Sequence, residues 1–207
     1  KLQVPSIIRS IDDPYSRLQT FEGVVTCDNV MQQLSAHLCP PWRLRSKSNQ
    51  VLSDSETHEF IQEIANLVQI FAQIVYEDNN DDEEAAAGGV FVKLHIVEDN
   101  GCAYWHQDYV DFRLVKTYRG PCTQYVLPQY SQETLRRYKS HSKHARSLLP
   151  RDVALFKGRG ETFDEEDDDD DNLHNHPGIV HRSPRIKQGS GVLRLVLVLD
   201  IPQEAWH

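Results

Sequence analysis

The chain has 207 residues, 39% of them hydrophobic, and a formal net charge of −9. That length supports one well-filled domain with a sizeable core. The charge balance argues against a general nucleic-acid-binding surface, and no apolar run approaches the roughly 20 residues needed to cross a bilayer.

The acid is concentrated in two runs, Glu77–Glu84 and Asp164–Asp171. Dense like charge resists burial, so both are expected to be exposed and poorly ordered. Four cysteines, Cys27, Cys39, Cys102 and Cys122, form no CxxC pair. They read as reduced thiols, most of them small buried apolar residues, in an intracellular and cytoplasmic protein. No signal-peptide pattern is present, although the chain starts at Lys1 and a targeting segment can precede it.

In chain order, Val24-Val25-Thr26 reads as a short strand. Asp28 is placed to cap a helix that runs to Cys39, where Pro40-Pro41 ends it. Ser53-Asp54-Ser55-Glu56 has the form of a capping box. Phe60, Ile64, Leu67, Val68, Phe71, Ile74 and Val75 follow at three- and four-residue steps, which predicts an amphipathic support helix over 54–76. Val90–Val97 alternates and is rich in β-branched residues, as a strand should be. A turn at Asp99-Asn100-Gly101 leads to Tyr104–Asp108. Strands are then expected at Phe112–Tyr118, Thr123–Leu127, Val153–Gly158, Ile179–Ser183 and Leu193–Ile201, with helix or loop at Ser131–Arg146. Helices come first and short strands after, so the expected class is mainly β with N-terminal α-helices (α+β), closed as a barrel or two-sheet sandwich. One domain over 1–207 is expected, with 1–88 as a helical support and 89–202 as the core. An acidic insertion lies near 161–172.

The chemistry is expected at Tyr104-Trp105-His106-Gln107-Asp108. On an extended segment His106 and Asp108 share a face, and His181 is a plausible third partner. Two imidazoles and one carboxylate can cap one face of an octahedral ion and leave the other open, the usual arrangement for non-haem Fe(II). Closed structural zinc sites are tetrahedral and often thiolate-rich instead. Tyr104 and Trp105 are expected to wall the site. The plain alternative is a hydrogen-bonded His/Asp pair, with His181 bracing a turn. His174 and His176, beside the acidic run, read as a solvated loop before an auxiliary metal site. No P-loop, GxGxxG or nucleophile elbow is present.

The run Cys102–Asp108, then Arg113-Leu114-Val115, Tyr118–Thr123, Val153–Gly158, His181-Arg182-Ser183-Pro184 and Leu193-Arg194-Leu195 resembles the DUF1826 family. More broadly it resembles the Fe(II)/2-oxoglutarate-dependent dioxygenases, whose fold is a double-stranded β-helix or jelly-roll. The resemblance implies an oxygenase of unknown small-molecule or protein substrate, with Fe(II) at His106, Asp108 and His181 and 2-oxoglutarate as co-substrate. The planar fork of Arg194 suits the co-substrate's far carboxylate, with Arg182, Arg185, Arg113 and Lys116 as the next choices. Ser183 can bond the same carboxylate or only backbone. The alternatives are a non-catalytic metal-binding jelly-roll linked to zinc homeostasis, and a metal-free binding module should the three side chains fail to converge.

Overall fold

The computed structural model describes residues 20–38, 54–76, 88–97, 102–160, 178–187 and 189–202. The two acidic runs, Pro40-Pro41, Ser53, the turn at Asp99-Asn100-Gly101, and His174 with His176 lie outside them, as do the expectations attached to them. The architecture is mainly β with few helices, and the strand pairs described below are antiparallel. No helix among the described residues is long and apolar enough to cross a membrane.

The chain divides into two compact units, with the boundary after His95. In the first, β1 (Phe21–Val25) pairs antiparallel with β2 (Val90–Val97), from Phe21 opposite Leu94 to Val25 opposite Val90. Helix α1 (Val30–Leu38) buries Val30, Leu34 and Leu38 on one stripe. The turn leading into it is closed by Asn29 rather than Asp28: the Asn29 carboxamide oxygen accepts the Thr26 amide at 2.9 Å. Helix α2 (Asp54–Tyr76) buries Phe60, Ile61, Ile64, Val68 and Phe71. Ile74 departs from the expected stripe and is 45% exposed. At 100° per residue it points past Leu67, outside the buried arc.

The second unit spans Ile96–Ile201. Here β3 (Phe112–Arg119) lies between β8 (Arg194–Asp200) and β6 (Val153–Lys157). A smaller sheet has the order β5 (Arg146–Ser147), β4 (Gln124–Tyr125), β7 (His181–Arg182). Strand β4 is shorter than expected because Leu127-Pro128 turns into a 3-10 segment, Pro128–Tyr130, followed by helix α3 (Ser131–Arg136). Proline fixes that turn and can donate no ladder hydrogen bond. Val115, Phe156 and Val196 form one apolar cluster of this unit, and Trp105, Val126 and Val180 form another.

Two glycines are required by close approach. A Cβ on Gly158 would lie 1.7 Å from the Val110 carbonyl oxygen. Gly120, at φ +84°, would place a Cβ 2.5 Å from the Leu193 carbonyl oxygen and 3.0 Å from the Arg194 Cα. Gly158 donates its amide to Asp111 O and Arg159 donates to Asp108 O, each at 2.8 Å, so the Asp108 loop is tied to the end of β6 through this contact. Gly158→Ala is therefore expected to destabilise the fold by about 1–3 kcal/mol or more, as overpacking does, and to weaken metal binding as well. Thermal unfolding and a metal titration check both; an unchanged melting temperature would contradict the close approach.

Candidate metal centre

His106 does not sit in a strand. It makes one isolated antiparallel bridge with His181, each amide bonding the other's carbonyl at 2.9–3.0 Å. Beyond it the chain leaves the sheet, and Gln107 anchors the exit by donating to Gly178 O at 2.6 Å. The two-residue spacing still works, because the Asp108 loop is held by the β6 end. The bridge places the two imidazoles side by side, with ring centroids 4.5 Å apart.

His106, Asp108 and His181 converge, their candidate ligand atoms all within 4.8 Å of one another. His181 Nε2 lies 3.2 Å from Asp108 Oδ2, and His106 Nε2 lies 3.7 Å from Oδ1. Cis ligands of an octahedral ion with bonds of about 2.1 Å stand about 3.0 Å apart, close to the first spacing.

The donor chemistry favours a cation. Each histidine uses Nδ1 on a main-chain carbonyl: His106 on Tyr104 O at 2.8 Å and His181 on Ile179 O at 3.1 Å. A carbonyl only accepts, so in each neutral ring Nδ1 carries the hydrogen and Nε2 holds the lone pair. Both lone pairs then face a carboxylate. Asp108 Oδ2 is buried and accepts no hydrogen bond. Three acceptors turned on one another suit a positive ion or a proton between them, and fixing Nδ1 by a carbonyl is how metal-bound histidines are oriented. The residues therefore fit a divalent ion.

Protons compete for the same place. Burial, and then the charge of His181, push the His106 pKa below its ordinary 6.5, against the opposing pull of Tyr104 O and Asp108. Burial alone would raise the Asp108 pKa. The neighbouring His181 side chain, and after it Arg113 and His106, bring it below 3.8. Metal affinity is expected to hold down to somewhat below pH 6.5, then fall as protons claim the His106 imidazole, before Asp108 itself titrates. Calorimetric Mn(II) titrations from about pH 8 to about pH 5 check this; a flat profile would remove His106 from the ligand set.

Around the site, Phe156 packs its ring 4.9 Å from His181. Trp105 is 2% exposed, whereas Tyr104 is 54% exposed and cannot be the dry wall expected of it. Tyr104 leans outward onto Tyr138, the ring centroids 5.7 Å apart. Phe156 was not legible as a site residue, since its place depends on how β6 pairs with β3.

Arg194 is buried at 3% exposure. Its Nη2 donates to Thr123 Oγ1 at 2.6 Å and Thr117 Oγ1 at 3.5 Å, and its Nη1 to Ser183 Oγ at 3.1 Å. Its Nε is buried with no partner. Among the described residues no carboxylate pairs with it, and burial lowers its pKa against the opposing influence of Cys122 and Cys102. Ser183 thus orients Arg194, two residues beyond His181. The other candidate cations are engaged elsewhere. Arg182 donates to Gln124 Oε1 at 2.8 Å and stacks on Trp105 at 4.3 Å. Arg185 is exposed and bonds Lys139 O. Lys116 lies over the Tyr118 ring at 5.2 Å.

Arg113 has a role that the sequence did not disclose. Its Nε and Nη2 form a fork on Asp200 Oδ1 and Oδ2, both at 2.7 Å, and its Nη1 donates to Asp108 Oδ1 at 2.6 Å. Burial would lower its pKa, but Asp200 and Asp108 hold it above the ordinary value. The one possible signal was a buried-strand Arg113 and Asp200, which register alone brings opposite each other. Of the thiols, Cys122 is buried, Cys27 half-buried and Cys102 exposed; all three are free, and only Cys122 behaves as a core residue.

No curated protein matches the chain. A family model described as a protein of unknown function, DUF1826, matches residues 16–200. With nearly its whole length matched, the chain belongs to the DUF1826 family.

Proposed function

We propose that this protein is an Fe(II)- and 2-oxoglutarate-dependent oxygenase built on a jelly-roll. His106, Asp108 and His181 would hold the ion, and Arg194 would receive the far carboxylate of the keto acid. The observation that carries this reading is Arg194: a buried guanidinium held by three hydroxyls, with a free Nε and no carboxylate among the described residues. A buried charge without a counter-ion is costly, and a planar fork that bonds Ser183, two residues beyond His181, suits a carboxylate ligand. The two antiparallel sheets of this unit, with the histidine bridge at the edge of the smaller one, suit the jelly-roll assignment.

A bound Fe(II) would supply oxygen activation, coupled to loss of CO₂ from the keto acid, with one oxygen atom entering a substrate C–H bond and the other entering succinate. The protein's own part is orientation and exclusion of water. Tyr104 O and Ile179 O fix the two imidazoles. Phe156 covers one side of His181, and Ser183 and Thr123 aim Arg194. His106, with its side chain 31% exposed, marks the side from which a substrate would approach.

The experiment is an anaerobic Fe(II) titration with and without 2-oxoglutarate, following the weak visible charge-transfer band of the chelate. A band that saturates with keto acid is expected. Metal binding without keto-acid binding would favour the non-catalytic, metal-handling reading. Absence of both would leave neither.

A further inference from the structure

We infer that Arg113, braced by Asp200, is a positioning residue that restricts Asp108 to a single ligand oxygen and so keeps one more coordination position open. The inference rests on the metal reading above. Asp108 offers two oxygens, and a carboxylate facing a divalent ion can give one or both. Here Oδ1 is already taken by Arg113 Nη1 at 2.6 Å, a short charge-assisted bond. Oδ2 is the oxygen left without a hydrogen bond, 3.2 Å from His181 Nε2.

Arg113 cannot readily swing to release Oδ1. Its other two donors are locked in the two-pronged pair with Asp200, which is 2% exposed and stands directly opposite Arg113 in the β3–β8 register. The buried end of one strand thereby fixes the orientation of a carboxylate on a loop five residues away.

The consequence is a coordination count. A six-coordinate ion with two imidazoles and a one-oxygen carboxylate keeps three positions open; with a two-oxygen carboxylate it keeps two. A chelating keto acid takes two positions, so only the first case leaves room for a further small molecule on the ion. A carboxylate and two histidines alone do not decide between these cases. The Asp200–Arg113 fork does.

The test counts exchangeable water on Mn(II) bound to the whole chain, by water-proton relaxation and by electron–nuclear double resonance with ¹⁷O water. The unmutated protein is expected to show three inner-sphere waters, and Arg113→Gln two, as Asp108 turns to chelate. Two waters in the unmutated protein would overturn the inference without any variant, so a variant that fails to fold does not remove the test. Three waters in a folded Arg113→Gln would overturn it as well, while leaving the metal site intact. Failure of the unmutated protein to bind Mn(II) at all would instead defeat the metal reading beneath it. Arg113→Lys is expected to restore the third water in part, because one ammonium can bond Asp108 Oδ1 but cannot also fork onto Asp200.

Discussion

His106→Ala is expected to lower affinity for Fe(II) or Mn(II) more than about 100-fold, beyond the 10–100-fold typical of losing a residue that only supports a ligand. The reason is geometric. His106 Nε2 and His181 Nε2 both hold lone pairs turned on Asp108, and neither can be replaced by a neighbouring donor of the same kind. The backbone bridge to His181 uses only main-chain atoms, so alanine preserves it. The ring is partly exposed, and the metal-free protein should therefore melt within a few degrees of the unmutated one. His181→Ala would be a poorer probe, since that ring is 6% exposed and packs on Phe156. Calorimetric titration beside thermal unfolding separates the two effects. Undiminished metal affinity in a folded His106→Ala would dissolve the three-ligand site.

Arg194→Ala is expected to weaken 2-oxoglutarate binding about 30-fold or more, while metal affinity stays nearly unchanged. Losing one partner of a buried charged pair costs about 2–5 kcal/mol, and each 1.4 kcal/mol is about tenfold in affinity. The guanidinium bonds Ser183, Thr117 and Thr123 rather than any of the three ligand side chains, which is why the ion should not notice its loss. Arg194→Lys should recover only part of the affinity, since a point charge replaces the fork. The stability of the metal-free protein is expected to change little. The metal-free protein buries this cation without a carboxylate, so removing it relieves a desolvation cost that offsets the lost hydrogen bonds. Titration of the keto acid into the Mn(II)-loaded protein decides the matter. Equal affinity in Arg194→Ala would move the anchor to another cation, and since Arg182, Arg185 and Arg113 are already engaged, it would count heavily against the keto-acid reading.

Much of this protein is written in its local patterns. The 3.6-residue recurrence from Phe60 to Phe71 specified α2, and the β-branched runs at Val90–Val97, Phe112–Tyr118 and Leu193–Ile201 specified three strands, because both signals depend on near neighbours and on which face must leave water. The types and spacing of His106, Asp108 and His181 also sufficed to nominate a metal set, since few side chains offer those donors. Arg194 stood out as a charge in an apolar strand, which needs a partner, and the structure buries it among three hydroxyls. Local pattern did not settle how those groups are held. That His106 makes a single bridge instead of sitting in a strand, that Tyr104 turns outward while Phe156 turns in, and that Ser183 serves Arg194 all follow from strand register. So does the pairing of Arg113 with Asp200, residues far apart in sequence that meet only because β3 and β8 run antiparallel with one particular offset. A one-residue slip would turn Arg113 to the other face and free Asp108 to rotate. Residue identity supplied the chemistry that can occur here, whereas the register of two strands decided which atoms are left to do it.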